Sequence, residues 1–125
     1  MTQPPVIACI DDDEYVREAL AGLLSSAGFA TEVFSSAELF LESPHIDAFA
    51  CVITDVRLGG MSGLELLRRL KAAGHRMPTM VVTAYDSATL RAEAAAVGAL
   101  CLHRKPIDTQ ELLQSLEDMQ RLPPE

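Results

Sequence analysis

Short apolar runs alternate along this chain with stretches whose apolar residues recur at helical spacing. Val6 to Ile10 is apolar throughout, as a strand covered on both faces requires. Val16, Leu20, Leu23, Leu24 and Ala27 then fall on one helical face, and Gly28 stops the pattern. Ala30 to Phe34 alternates apolar and polar residues, which reads as an edge strand, and Ser35 or Ser36 caps a short helix ending at Leu41, before Pro44. Ala48 to Thr54 is a long apolar run that reads as a central strand. A loop from Val56 to Ser62 carries Gly59 and Gly60; a helix from Gly63 to Ala73 with Leu64, Leu67 and Leu70 on one face closes at Gly74. Thr79 to Thr83 is the fourth strand, Ser87 to Val97 an alanine-rich helix ended by Gly98, and Ala99 to His103 the fifth strand. Asp108 or Thr109 caps a last helix carrying Leu112, Leu113, Leu116 and Met119. The alternation predicts an α/β fold: a parallel sheet with right-handed crossovers and helices on both faces.

The 125 residues fit a single domain, 1–125, with a core from about residue 6 to 121. Pro123-Pro124-Glu125 alone has linker-like composition. It suits a natural terminus and equally a junction to a C-terminal output domain absent from this chain. The net charge is −8. Affinity for nucleic acid and for anionic membranes comes from Lys and Arg, so neither is an expected direct partner. The start lacks the basic and apolar regions of a signal peptide, and no stretch is long enough to cross a bilayer, so a cytoplasmic protein is expected. Cys9, Cys51 and Cys101 sit inside apolar runs without metal-ligand spacing and read as buried, reduced thiols.

The chemistry collects where the apolar runs end. The first run leads into Asp11-Asp12-Asp13, the third into Asp55, the fourth into Thr83, and the fifth, after His103 and Arg104, into Lys105-Pro106. An open α/β sheet binds ligands at the carboxyl ends of its strands, so these residues are expected to meet. Asp11, Asp12 and Asp55 would repel one another unless a cation sat among them, and a carboxylate cluster with spare coordination positions suits Mg²⁺. Lys105 offers an ammonium and Thr83 a hydroxyl to a phosphoryl group, and a carboxylate is itself a competent nucleophile. Singly, these residues are ordinary caps and turn residues; their conjunction in this order carries the reading.

In these pieces the chain resembles the response regulator receiver domain of two-component signalling. The match rests on Ile10-Asp11-Asp12-Asp13, Thr54-Asp55-Val56-Arg57, Met61-Ser62-Gly63-Leu64-Glu65-Leu66-Leu67, Val82-Thr83-Ala84, Gly98-Ala99 and Lys105-Pro106. Asp-x-Arg and Met-Ser-Gly-Leu-Glu-Leu-Leu look most like the FixJ-type branch. The resemblance implies a flavodoxin-like, doubly wound, five-stranded parallel sheet in the order 2-1-3-4-5 with five helices. It implies that Asp55 accepts a phosphoryl group from a sensor histidine kinase or phosphotransfer protein. Mg²⁺ (or Mn²⁺) would be held by Asp12, Asp55 and the main-chain carbonyl of Arg57, with Asp11 acting through water. Thr83 and Lys105 would engage the phosphoryl group, and the Lys105-Pro106 bond is often cis. The protein would be a switch that regulates an output domain or partner protein, and such domains often dimerise. It would be no enzyme beyond self-catalysed phosphotransfer and autodephosphorylation.

Several positions depart from that pattern. The switch aromatic is Leu102, Met-Pro in the loop after Asp55 is replaced by Leu58-Gly59, and His103, Arg104 and Ile107 replace more usual residues. Coupling between Thr83 and position 102 is therefore expected to differ from the family norm. Arg57 and Tyr85, at the positions that flank the hydrolytic water in the family, are both bulky, so slow loss of phosphate is expected. The alternative function is a receiver-fold interaction module that works without phosphorylation. An α/β phosphatase with an Asp nucleophile would carry a second acid where Arg57 stands. A flavodoxin-like cofactor binder would need a phosphate-cradling loop after the first strand, and none is present.

Overall fold

The computed structural model describes residues 4–121. The linker-like Pro123-Pro124-Glu125 lies outside the described residues. Alternation along the strands builds the core. In β1 (Val6–Ile10), Ile7 and Cys9 face a cluster with Leu20 and Leu24 of α1 (Glu14–Ser26) and Leu112 and Leu116 of α5 (Thr109–Gln120). Ala8 and Ile10 face the other side, against Phe40 of α2 (Ala37–Leu41) and Leu66 and Leu70 of α3 (Gly63–Ala72). The period of two thus divides one strand between two apolar layers. A third cluster, Leu64, Leu67 and Val81 with Ala94 and Val97, seats α4 (Ala88–Ala96).

The remaining strands are β2 (Ala30–Phe34), β3 (Cys51–Asp55), β4 (Thr79–Thr83) and β5 (Cys101–Arg104). All pairings are parallel and the order is β2-β1-β3-β4-β5, as expected. β3 and β4 are buried at every position, whereas β2, at one edge, is mostly half-buried. No helix among the described residues is long and apolar enough to cross a membrane.

Each helix start has a side-chain cap, at Ser36 and Asp108 among the residues the sequence offered. Asp13, Ser36, Ser62, Ser87 and Asp108 accept backbone N–H groups of the first turns of α1 to α5. Gly28, at φ +93°, supplies the left-handed residue that ends α1.

The largest differences from the sequence reading lie at β3 and β5; elsewhere helix and strand ends shift by a single residue. Ala48, read as the start of β3, instead closes a 3-10 turn over residues 46–48, flanked by the His45–Glu32 and Asp47–His75 pairs. The strand proper begins at Cys51, opposite Ile7. β5 starts two residues later than expected, since the Ala99 N–H closes onto Ala94 O of α4. It runs on to Arg104, which pairs with Thr83. Of the three thiols, Cys9 and Cys51 are buried and Cys101 is only half-buried, on an edge strand. Burial, with the Asp11 charge, pushes Cys9 up to about 12, so it carries no thiolate at neutral pH.

Candidate functional site

The parallel register brings the strand ends to one edge. Asp55 closes β3 opposite Val82, Thr83 closes β4, and Asp11 follows β1 with its N–H on Phe34 O of β2. Asp11 is 2 % exposed and Asp55 8 %, so two carboxylates are buried side by side. Lys105 lies between them. Its Nζ donates to Asp11 Oδ2 at 2.9 Å and to Asp55 Oδ2 at 2.8 Å. Burial acts most strongly on the ammonium, against its charge, but the hydrogen bonds and charges of Asp55 and Asp11 together outweigh it. The Lys105 pKa is held above 10.5. The Lys105 N–H also bonds Thr83 O, and the Lys105-Pro106 peptide is cis.

Asp12 is exposed at the rim, and one oxygen from each of Asp11, Asp12 and Asp55 lies within 4.8 Å of the others. Three hard oxygen donors, one open to water, match the needs of a small divalent cation that retains waters and accepts a phosphoryl oxygen. The donor set therefore fits Mg²⁺.

Asp55 is fixed from several directions. The Arg57 N–H donates to Asp55 Oδ1 at 3.1 Å, and Thr54 Oγ1 donates to Asp55 O at 3.0 Å. A Cβ on Gly63 would lie 2.1 Å from Asp55 O, so only glycine lets α3 start this close to Asp55. Asp11 is oriented likewise. Its Oδ1 accepts the Asp13 N–H, and its carbonyl accepts Arg17 Nη1 at 2.8 Å. Thr83 is 1 % exposed, and its Oγ1 accepts the Tyr85 N–H at 3.0 Å, which leaves the hydroxyl proton to donate.

Arg57, two residues after Asp55, and Tyr85, two residues after Thr83, meet across their two loops. The guanidinium carbon sits 4.4 Å from the Tyr85 ring centroid. Beside the site an open cleft of about 570 Å³ runs between α1 and the segment after β5; Tyr15, Val16, Leu20, Lys105 and Ile107 line it. Leu102 points away from this cleft, packed with Leu64, Leu67 and Val81 under α4.

Thus Asp11, Asp12, Asp55 and Lys105 come together as expected, Thr83 and the Arg57–Tyr85 pair stand at the same edge, and Leu102 lies in the apolar layer below α4. Arg17 and Glu38 were not anticipated. Arg17 is four residues beyond Asp13 on one helix, a weak signal, while nothing local marks Glu38 as the acceptor of the Met61 N–H.

His103 faces the opposite side of β5 from Leu102. It is 7 % exposed, with Nε2 3.0 Å from Ser115 Oγ of α5 and 3.5 Å from Cys101 Sγ. Burial holds its pKa below the ordinary 6.5, against the pull of Glu111 and Asp108. A histidine depressed in the fold leaves stability intact above its unfolded value of 6.5 and withdraws it as pH falls through the folded value. His103→Gln is therefore expected to flatten the acid-side loss of stability in urea titrations from about pH 7 down to about pH 5. An acid slope unchanged by the substitution contradicts this.

A profile of the response regulator receiver domain matches residues 7–117. The transcriptional regulatory protein FixJ of Bradyrhizobium diazoefficiens is 38 % identical over 117 residues, covering 94 % of this chain and 57 % of the relative. Response regulator protein TodT of Pseudomonas putida strain F1 is 37 % identical over 120 residues, covering 96 % and 53 %. The chain spans about half the length of these curated relatives. The crystal structure of FixJ-N superimposes with a TM-score of 0.84 at 30 % identity, covering 99 % of this chain and 100 % of that one. A response regulator receiver protein from Pseudoalteromonas atlantica gives a TM-score of 0.86 at 26 % identity, with 93 % and 97 % covered.

Proposed function

This chain belongs to the response regulator receiver family, and from that membership we propose that it is a phosphoacceptor switch in which Asp55 takes a phosphoryl group from a phosphohistidine donor. The observation that carries this reading is Lys105 Nζ bridging two buried carboxylates, with Asp12 close enough to complete a cation site. Asp12, Asp55 and the Arg57 carbonyl would hold Mg²⁺, with Asp11 acting through water. When bound, the cation neutralises charge on the phosphoryl oxygens.

Asp55 attacks phosphorus in line; a P–O bond forms, the P–N bond breaks, and the donor imidazole leaves with the electron pair. The Arg57 N–H keeps the attacking carboxylate oriented, so little reorganisation is needed. Lys105 shifts from a carboxylate oxygen to a phosphoryl oxygen, and the Thr83 hydroxyl donates to another. The cleft lined in part by Lys105 would give the donor protein, a sensor histidine kinase or phosphotransfer protein, an apolar surface beside the site.

The conformational shift then acts on an output domain or partner protein. Nucleic-acid contact by such a regulator falls to segments other than this acidic domain. Leu102 supports a transmission route unlike one built on an aromatic, because it is already packed under α4.

The test of the switch is transfer. Incubation with a phosphorylated sensor histidine kinase and Mg²⁺ should move the phosphoryl group to this chain, and failure across several donors together with acetyl phosphate would refute the reading. A second expectation concerns lifetime. Arg57 and Tyr85, held together by their cation–ring contact, would hinder the water that must reach phosphorus. Arg57→Ala and Tyr85→Ala should each speed loss of phosphate by about threefold to tenfold, followed by intact mass. Equal decay in both variants and the parent removes the shielding.

A further inference from the structure

The loop that follows the acceptor is held by main-chain hydrogen bonds at both ends and by few between them. At its start the Val56 N–H bonds Val82 O and the Arg57 N–H bonds Asp55 Oδ1. At its end the Gly63 N–H returns to Val56 O. Two consecutive glycines, Gly59 and Gly60, lie between, where chain entropy opposes any single conformation. A Cβ on Gly59 would meet nothing within 4 Å, so no neighbour confines the loop there.

Among the described residues, one hydrogen bond ties the stretch 58–61 to the rest of the fold. The Met61 N–H donates to Glu38 Oε2 of α2 at 3.0 Å. The same oxygen sits over Gly60, where a Cβ would come within 2.3 Å of it. Leu58 and Met61 also pack against the cluster that holds Phe40 of α2. Apolar contacts of that kind set distance but not direction, whereas a carboxylate accepting an N–H fixes where the peptide points. That bond also pulls the Glu38 carboxyl below the ordinary carboxylate range. Glu38 is in the first turn of α2, where a negative charge already favours the helix N-terminus. A helix-end role needs only the charge, but here the side chain reaches across 23 residues to a loop amide.

We propose that Glu38 is a positioning residue for the phosphoacceptor site: by gripping the Met61 amide it holds the glycine-containing loop in the conformation that presents the Arg57 main-chain carbonyl to the cation. The inference rests on the Mg²⁺ reading above and deepens it. α2 itself carries no acceptor chemistry, yet through Glu38 it sets how well the loop is organised before the cation arrives. Pre-organisation of this kind changes cation affinity rather than the rate once the cation is bound.

The experiment compares Glu38→Ala and Glu38→Gln with the parent chain. Amide hydrogen exchange of Met61 is measured without metal, and Mg²⁺ is titrated by amide chemical shifts in residues 11–13 and 56–57. Glu38→Ala is expected to speed Met61 exchange about fivefold or more. It should weaken Mg²⁺ binding about threefold, while acetyl phosphate labelling at saturating Mg²⁺ stays near the parent rate. Glu38→Gln keeps an acceptor oxygen without the charge and should restore both readings.

Faster Met61 exchange with unchanged Mg²⁺ affinity in Glu38→Ala overturns the proposal and reduces the contact to packing. Glu38→Gln as weak as Glu38→Ala also overturns it, because the helix-end charge then explains the effect. If the parent chain itself binds no Mg²⁺, the functional reading fails first and takes this inference with it. That outcome is recognised in the parent, before any variant is compared.

Discussion

Lys105→Ala is expected to slow labelling of this chain by acetyl phosphate about a hundredfold, because it deletes a fixed cation aimed at the transferring phosphoryl group. The same substitution should cost about 2–3 kcal/mol of stability at neutral pH without metal. Lys105 sits between two carboxylates with side chains 2 % and 10 % exposed, and its loss leaves their mutual repulsion uncompensated in a dry setting. The pH dependence has a definite sign. The Lys105 pKa is raised above 10.5, so its contribution is complete below about that pH and fades as pH rises through the folded value. The stability gap between variant and parent should thus be wide at neutral pH and narrow as pH rises through the Lys105 value. Mg²⁺ should restore part of the loss in the variant, since a cation can replace the missing charge. Urea unfolding across pH, with and without Mg²⁺, checks these outcomes; a gap independent of pH contradicts the ion-pair account.

Asp55→Asn should abolish labelling altogether, because an amide oxygen is no nucleophile toward phosphorus. The fold should survive. Asn retains an oxygen for the Arg57 N–H, and Lys105 keeps Asp11 as its partner. Stabilisation by Mg²⁺ should fall, reflecting an affinity weakened about tenfold by loss of one charged ligand. Residual labelling at Asp12 or Asp11 in this variant would show that the acceptor has been misassigned.

Much of this was written in the pattern of the chain. β1, β2 and β4 carry the boundaries their apolar runs predicted, since burial between helical layers demands such runs and little else supplies them. The acidic cluster and Lys105 were legible because strand ends converge by topology, whatever their separation in sequence. The errors have local causes. Ala48 to Ala50 is apolar enough to pass for strand, but polar pairs at His45 and Asp47 curl the segment before it. Ala99 is apolar too, but its N–H completes the end of α4.

The site's supports were the least legible. Glu38 and Arg17 act on backbone groups of other segments, and no periodicity records a side chain reaching a distant amide or carbonyl. His103 stood out in sequence as unusual, but only the strand's orientation assigns it to the α5 side, beside Ser115.

The most direct measurement is the intact mass of the parent chain after incubation with acetyl phosphate and Mg²⁺, followed by peptide mapping. The account predicts a gain of one phosphoryl group, located on Asp55, abolished by removing the metal and absent in Asp55→Asn. No gain under generous donor and metal, or a gain on another residue that persists in Asp55→Asn, would contradict it.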